Sequence, residues 1–178
     1  EKLMVENNPT EFIDGKNPEL KLTRSKYSEA KFVSEVLAKN ETIRNSYMQS
    51  FFHDSEVLLP HAFCMHYLII TSNPEKKILA TLSDPNKGYN KNTWSFSIEE
   101  QLKADDIDGG LSLFNLAKRG LREELNLEHE KDWTRDGLTF NSIFMEGNFL
   151  NLSVFAVVRL RIKSAILDLR IKNKSPKD

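Results

Sequence analysis

The chain has 178 residues, a formal net charge of −1, and 39% hydrophobic and 29% charged residues. That length predicts one domain with a substantial core, and the near-zero charge gives no general attraction to nucleic acid or to a membrane surface. The longest apolar run, "AFCMHYLII", is shorter than the roughly 20 residues that span a bilayer, and the single cysteine, Cys64, fits a reducing compartment. We therefore expect a cytoplasmic protein without membrane or nucleic-acid partners.

The first part of the chain predicts an arm and two helices. Residues 1–24 are polar and rich in turn signals, which is typical of an extended arm. Apolar residues at helical spacing then predict short helices within 25–39 and 41–52. We assign residues 1–55 to this arm and helix pair, packed on a domain at 56–178. Because the chain begins at Glu1 and ends in "NKSPKD", we expect a fragment that lacks its C-terminal element. A homodimer and a place in a longer chain both stay open.

The rest of the chain alternates strands, loops and one helix. Residues 61–72 are apolar on both faces, as in a central strand, and 76–83 follow after the turn "NPE" as its antiparallel neighbour. The segment "IEEQLKADDIDGG" is acidic and predicts irregular structure, as does "HEKDWTRDG". The other predicted elements are a strand at "TWSFS", a helix at 111–127, and strands at 138–147 and 150–163. This order indicates an α+β fold with a mixed, mainly antiparallel sheet and one central helix.

The helix at 111–127 has one apolar stripe and an unusual charged side. Its stripe consists of Phe114, Ala117, Leu121 and Leu125. Arg119 and Glu123 are four residues apart and can touch, whereas Glu124 lies on the flank of the stripe, where a carboxylate needs a partner. Viewed down the helix axis, Gly120 lies between Glu123 and Glu124. A glycine in an exposed helix costs about 1 kcal/mol relative to alanine. The helix is either a solvated face with an incidental ion pair or part of a site.

The segment "RGLREE" resembles the signature helix of the Nudix hydrolases, which reads Arg-Glu-aliphatic-x-Glu-Glu. Arg119, Leu121, Glu123 and Glu124 match that pattern, and "TWSFSIEE" is similar to the segment that precedes the signature, so that Glu100 stands for its upstream glutamate. Gly120 departs from the pattern because the family has a glutamate there. The paired glycines are absent, and the loop between Glu100 and Arg119 is longer than the signature allows.

This resemblance implies an α/β/α sandwich that cleaves a diphosphate bond in a nucleoside diphosphate derivative. Mg²⁺, or Mn²⁺, would be held by Glu100, Glu123 and Glu124, and Arg119 would orient Glu123 and keep it ionised. Glu100 or the Asp105–Asp108 loop would replace the carboxylate that Gly120 lacks. Candidates for the general base are Glu99, Glu100, Asp105, Asp106, Asp108 and Glu146. The alternative is a Nudix-like module that has lost catalysis and binds a nucleotide or a protein.

Aromatic residues near the motif in the sequence are candidates for stacking on a nucleobase. Tyr89 and Trp133 lie in predicted loops, and we expect them to bind the substrate. Trp94 and Phe96 alternate with serines, and we expect them in the core. The histidines give no competing metal site: His61 and His66 are five apart in a strand and point to opposite faces.

Overall fold

The computed structural model describes residues 3–5, 22–24, 26–53, 63–72, 74–86, 91–95, 97–108, 112–146 and 150–174. The chain divides into two compact units. The first comprises Glu1–Cys64, Gln101–Ile107 and Ile143–Ser153. The second comprises Met65–Glu100, Asp108–Ser142 and Val154–Asp178. Helices and strands are mixed in the chain, which confirms the α+β class.

The first unit contains the N-terminal elements. Two short strands, β1 (Leu3–Val5) and β2 (Leu22–Arg24), pair antiparallel. They are followed by helix α1 (Tyr27–Phe32), a π-helical turn (Val33–Leu37) and helix α2 (Glu41–His53). The two predicted helices are therefore confirmed. Their buried apolar residues are Val33, Leu37 and Phe51.

A four-stranded sheet has most of its residues in the second unit. Its strands are β3 (Cys64–Ile70), β6 (Ser97–Gln101), β7 (Trp133–Glu146) and β8 (Asn151–Leu160), and their order across the sheet is β6-β3-β8-β7. The Ser72 N–H donates to Ile162 O at 2.9 Å, just past the ends of β3 and β8, which indicates that these two run parallel. The bonds that indicate antiparallel neighbours are Leu102 N–H to Phe63 O for β6 and β3, and Arg161 N–H to Asp132 O for β8 and β7.

The predicted second strand at 76–83 is only partly right. Ile78 forms an isolated bridge with Ile70 of β3, but only β4 (Thr81–Leu82) is a strand within this range. It pairs with β5 (Trp94–Ser95) in a separate two-stranded sheet. The exposed fraction of Trp94 is 66%, so the expectation of a core position for this residue is wrong.

Two segments predicted as irregular are partly strand. The acidic segment after Ser97 begins with β6, and the predicted loop before Leu138 contains the first residues of β7. Both strands are at the edges of the four-stranded sheet, where polar and charged side chains can reach water. For that reason neither segment shows the apolar pattern on which a strand prediction depends.

Helix α3 (Ser112–Leu125) matches the predicted helix in position and phase. Ala117, Leu121 and Leu125 are buried as predicted, whereas Phe114 is only half-buried. Leu116 and Gly120 are buried too, so the packed face is wider than the predicted stripe. The helix ends because Asn126 adopts a positive φ of 56°, a left-handed conformation that asparagine tolerates at a helix end.

Helix α4 (Ser164–Lys172) follows β8 and was not predicted from the sequence. It is held to the segment after α3, because Arg170 Nη2 contacts Asp132 Oδ1 at 2.9 Å. The Asn126 side-chain amide donates to the backbone oxygen of Arg170 at 3.3 Å. No helix in the described part of the chain is long and apolar enough to cross a membrane.

Candidate functional site

Arg119 joins two carboxylates from different elements. Its Nη1 atom lies 3.0 Å from Glu100 Oε1 on β6 and 3.3 Å from Glu123 Oε2 one turn along α3. The exposed fractions of the Arg119 and Glu100 side chains are 17% and 11%, so water screens this pair less than it would at the surface. The Glu123 side chain is 37% exposed. The site is therefore a half-buried cluster with one open carboxylate.

Glu124 has a different cation as partner. Lys174, just beyond α4, places its Nζ 3.1 Å from the Glu124 backbone oxygen and 3.6 Å from the Glu124 Oε2. The two side chains are 26% and 28% exposed. The prediction that Glu124 needs a partner is thus confirmed. This contact also supplies a donor for one of the last carbonyls of α3, which have no partner within the helix.

Gly120 lies against the side chains of two strand residues, Tyr67 and Glu100. A Cβ atom at this position would lie 3.0 Å from the Tyr67 hydroxyl and 3.1 Å from both Cβ and Cγ of Glu100. Real Cβ atoms are rarely so close to a neighbour. The hydroxyl of Tyr67, a buried residue of β3, also donates to Leu116 O at 3.3 Å. The glycine therefore leaves room for the Glu100 side chain and the Tyr67 hydroxyl.

These distances show what a side chain at position 120 would meet. The position faces the side chains of Glu100 and Tyr67. A glutamate introduced at position 120 would therefore start against the Cβ and Cγ atoms of Glu100, which is itself a candidate site residue.

The donor set fits a hard divalent cation. Carboxylate oxygens are the ligands that Mg²⁺ and Mn²⁺ prefer, and Glu100 and Glu123 bring two of them to the same guanidinium nitrogen. Among the described residues, the ligand oxygens of Glu100, Glu123 and Glu124 do not all lie within 4.8 Å of one another. Two carboxylates are thus gathered by Arg119, and the third would have to turn from Lys174 to join them.

The remaining acidic candidates are distributed over several elements. In the short 3₁₀ turn Ala104–Asp106, Asp106 is buried and accepts the Lys103 N–H at 2.9 Å, so this carboxylate stabilises its own turn. Asp105 and Asp108 are exposed, whereas Glu99 and Glu146 are half-buried on β6 and β7. The choice of a general base among these residues stays a prediction.

The two predicted stacking residues have different outcomes. Tyr89 lies outside the described residues. Trp133 is the first residue of β7, not a loop residue, and it is fully buried. Its ring packs against Phe114 and His129, with centroid distances of 5.8 and 4.9 Å. A ring enclosed in this way offers no open face to a base, so its placement as a stacking residue is corrected.

Tyr67 and Lys174 were not found by sequence reasoning. Tyr67 is one of several apolar residues in β3, and nothing near it in the sequence marks its hydroxyl as important. Lys174 is 50 residues from Glu124 and belongs to a basic tail that also suits a solvated end. Both contacts depend on how distant segments pack, and neither leaves a periodic signal.

No protein-family model matches this chain, and no curated protein matches it.

Proposed function

We propose that the protein is a divergent Nudix-type hydrolase that cleaves a diphosphate bond in a nucleoside diphosphate derivative with Mg²⁺ or Mn²⁺. The proposal includes the α/β/α sandwich of that family and a small nucleotide-type substrate. It assigns Glu100, Glu123 and Glu124 as metal ligands and Arg119 as the residue that orients them. This rests on the resemblance of "RGLREE" to the signature helix and on the geometry around Arg119.

The observation that carries the proposal is the bridge from Glu100 through Arg119 to Glu123. A solvated helix face needs no carboxylate from a neighbouring strand, and an exposed ion pair contributes only about 0.2–1 kcal/mol. Here the strand residue and the arginine are mostly buried. Burial of charged groups is costly unless they are paired, and such clusters concentrate at functional sites.

Each residue has a defined part in the proposed chemistry. A divalent cation held by these carboxylates would neutralise phosphate oxygens and activate water. Arg119 holds the carboxylates of Glu100 and Glu123 in fixed orientation through bonds of 3.0 and 3.3 Å. Glu123 is the more exposed of the two, so it is the more accessible to a cation and its anionic substrate. Glu124 would complete the set if its carboxylate turned from Lys174 to the cation.

A second candidate is a module of the same fold that binds a nucleotide or a protein without cleaving it. The contact between Lys174 and the carboxylate of Glu124 favours this candidate, because a resident cation already neutralises one of the proposed ligands. The absence of a carboxylate at Gly120 points the same way.

Product release from a substrate panel separates the two candidates. The protein is incubated with Mg²⁺ and with nucleotide sugars, dinucleoside polyphosphates and other nucleoside diphosphate derivatives, and products are identified by ³¹P NMR and chromatography. For at least one class we expect cleavage at the diphosphate bond. Glu123→Gln should lower its rate on the order of 10- to 100-fold or more, the scale on which groups around a metal act.

Glu128→Gln is the matched control, since Glu128 follows the same helix and its side chain is 52% exposed. Its rate should equal that of the parent. If no compound is cleaved but calorimetry shows that one binds, the protein is the non-catalytic module. If Glu123→Gln cleaves as fast as the parent, the site is not at Arg119.

A further inference from the structure

Glu100 and Gly120 are in close contact between a strand and a helix. The Cβ and Cγ atoms of Glu100 lie 3.1 Å from the point where a side chain at position 120 would begin. The two residues are on different elements, the edge strand β6 and helix α3. A side chain at position 120 would therefore require the Glu100 side chain or the Tyr67 hydroxyl to move by a few tenths of an ångström.

We propose that Gly120 and Tyr67 are positioning residues that form a notch for Glu100, so that the strand supplies a carboxylate in place of the helix. This rests on the proposed function. Gly120 forms the helix side of the notch, and the Tyr67 hydroxyl, fixed by its bond to Leu116 O, limits it on the sheet side. Glu100 fills the notch, and its carboxylate emerges at Arg119.

The energetics agree with a glycine at this position. A buried helix position ordinarily favours alanine over glycine by about 1 kcal/mol. Here a methyl group would come within 3.0–3.1 Å of the tyrosine oxygen and the glutamate methylenes. Glu100 is the more flexible neighbour, so alanine at position 120 would displace Glu100 and weaken its contact with Arg119. The substitution would therefore disturb the carboxylate cluster more than the helix itself.

The test exchanges the two residues. Free Mn²⁺ is counted by electron paramagnetic resonance while Mn²⁺ is titrated into the parent, Glu100→Gly, Gly120→Glu and the double variant Glu100→Gly/Gly120→Glu. We expect Glu100→Gly to bind Mn²⁺ at least about tenfold more weakly than the parent. The double variant should recover most of that loss, because the helix then carries the carboxylate into the same space. Gly120→Glu alone should be destabilised, since two side chains compete for one notch.

Two further variants keep the test informative if the double variant does not fold. Glu100→Gln keeps the packing and removes only the charge, so it should bind Mn²⁺ as weakly as Glu100→Gly. Gly120→Ala changes no carboxylate, yet it should lower the Mn²⁺ affinity several-fold by displacing Glu100. Lys118→Ala, at an exposed position of the same helix, should leave the affinity unchanged.

Each outcome has one meaning. A folded double variant that binds no better than Glu100→Gly overturns the notch, as does Gly120→Ala with parental affinity, while the proposed function stands if Glu123→Gln still loses Mn²⁺. If Glu100→Gln and Glu123→Gln both bind Mn²⁺ like the parent, the metal site itself is wrong and the notch has no functional role.

Discussion

At the scale of single residues, the positively charged side chains of an arginine and a lysine determine how the carboxylates are arranged. Arg119 draws Glu100 and Glu123 together, and Lys174 holds Glu124 apart from them. The sequence predicted the Arg119–Glu123 pair because residues four apart on a helix are neighbours. Lys174 could not be predicted, since its contact depends on where α4 ends. A lysine that neutralises Glu124 competes with any divalent cation for the same oxygen.

We therefore predict that Lys174→Gln raises the affinity for Mn²⁺ about 1.4- to fivefold, which corresponds to the roughly 0.2–1 kcal/mol of a partly exposed ion pair. The variant also removes a donor from the last turn of α3, so the free energy of unfolding should fall by about 0.3–1 kcal/mol. Metal titration and urea denaturation measure the two effects separately.

Lys172→Gln is the control for the lost positive charge, because Lys172 is exposed on the last turn of α4. Its affinity for Mn²⁺ should match that of the parent within error. If Lys174→Gln lowers the stability but leaves the affinity unchanged, Lys174 only caps the helix, and Glu124 is no ligand.

At the scale of elements, the sequence predicts those helices and strands whose buried residues give a clear apolar pattern. Helix α3 was predicted in phase because a helix with one packed side shows that side every 3.6 residues, and β3 because a central strand is apolar on both faces. The edge strand β6 and the first residues of β7 were missed, since polar residues suit an edge as well as a loop. Glu100 therefore belongs to a strand that the local sequence does not reveal.

Helix α4 is anchored by an ion pair between Arg170 and Asp132. The two residues are far apart in the chain, so the local sequence does not reveal this contact. Asp132 is 1% exposed. One of its oxygens contacts Arg170 Nη2 and the other accepts the Glu128 N–H, both at 2.9 Å. Asp132→Ala leaves a half-buried arginine and a backbone donor without this carboxylate. We predict a loss of about 3 kcal/mol in the free energy of unfolding, measured by urea denaturation.

Glu128→Gln tests whether the effect belongs to the buried pair. The carboxylate of Glu128 also reaches Arg170, at 3.5 Å, but its side chain is 52% exposed. Its replacement should cost less than about 1 kcal/mol. Equal losses for the two variants, or none for Asp132→Ala, would contradict the assignment of Asp132 as the residue that anchors α4.

At the scale of the whole molecule, residues of the same type differ widely in solvent exposure, and the two tryptophans are the clearest case. The chain has two tryptophans, and sequence patterns placed one in the core and the other at a surface loop. The structure reverses them. Trp94 is paired with Leu82 in a short two-stranded sheet and is exposed, whereas Trp133 begins a strand and is fully buried. A two-residue strand is too short for its alternation to reveal which face is packed.

Intrinsic fluorescence tests this reversal directly. Trp94→Phe leaves only Trp133, which is buried against Phe114 and His129, so the remaining emission should move to shorter wavelength and resist quenching by acrylamide. The free energy of unfolding should change by less than about 0.5 kcal/mol, as for most exposed positions.

Trp133→Phe should show the opposite: a long-wavelength emission that acrylamide quenches readily. Because the substitution removes part of a core side chain, the free energy of unfolding should fall by about 1–3 kcal/mol. A Trp94→Phe protein whose emission is long in wavelength and easily quenched would place Trp133 in contact with water. That result would restore Trp133 as a candidate for stacking on a substrate base.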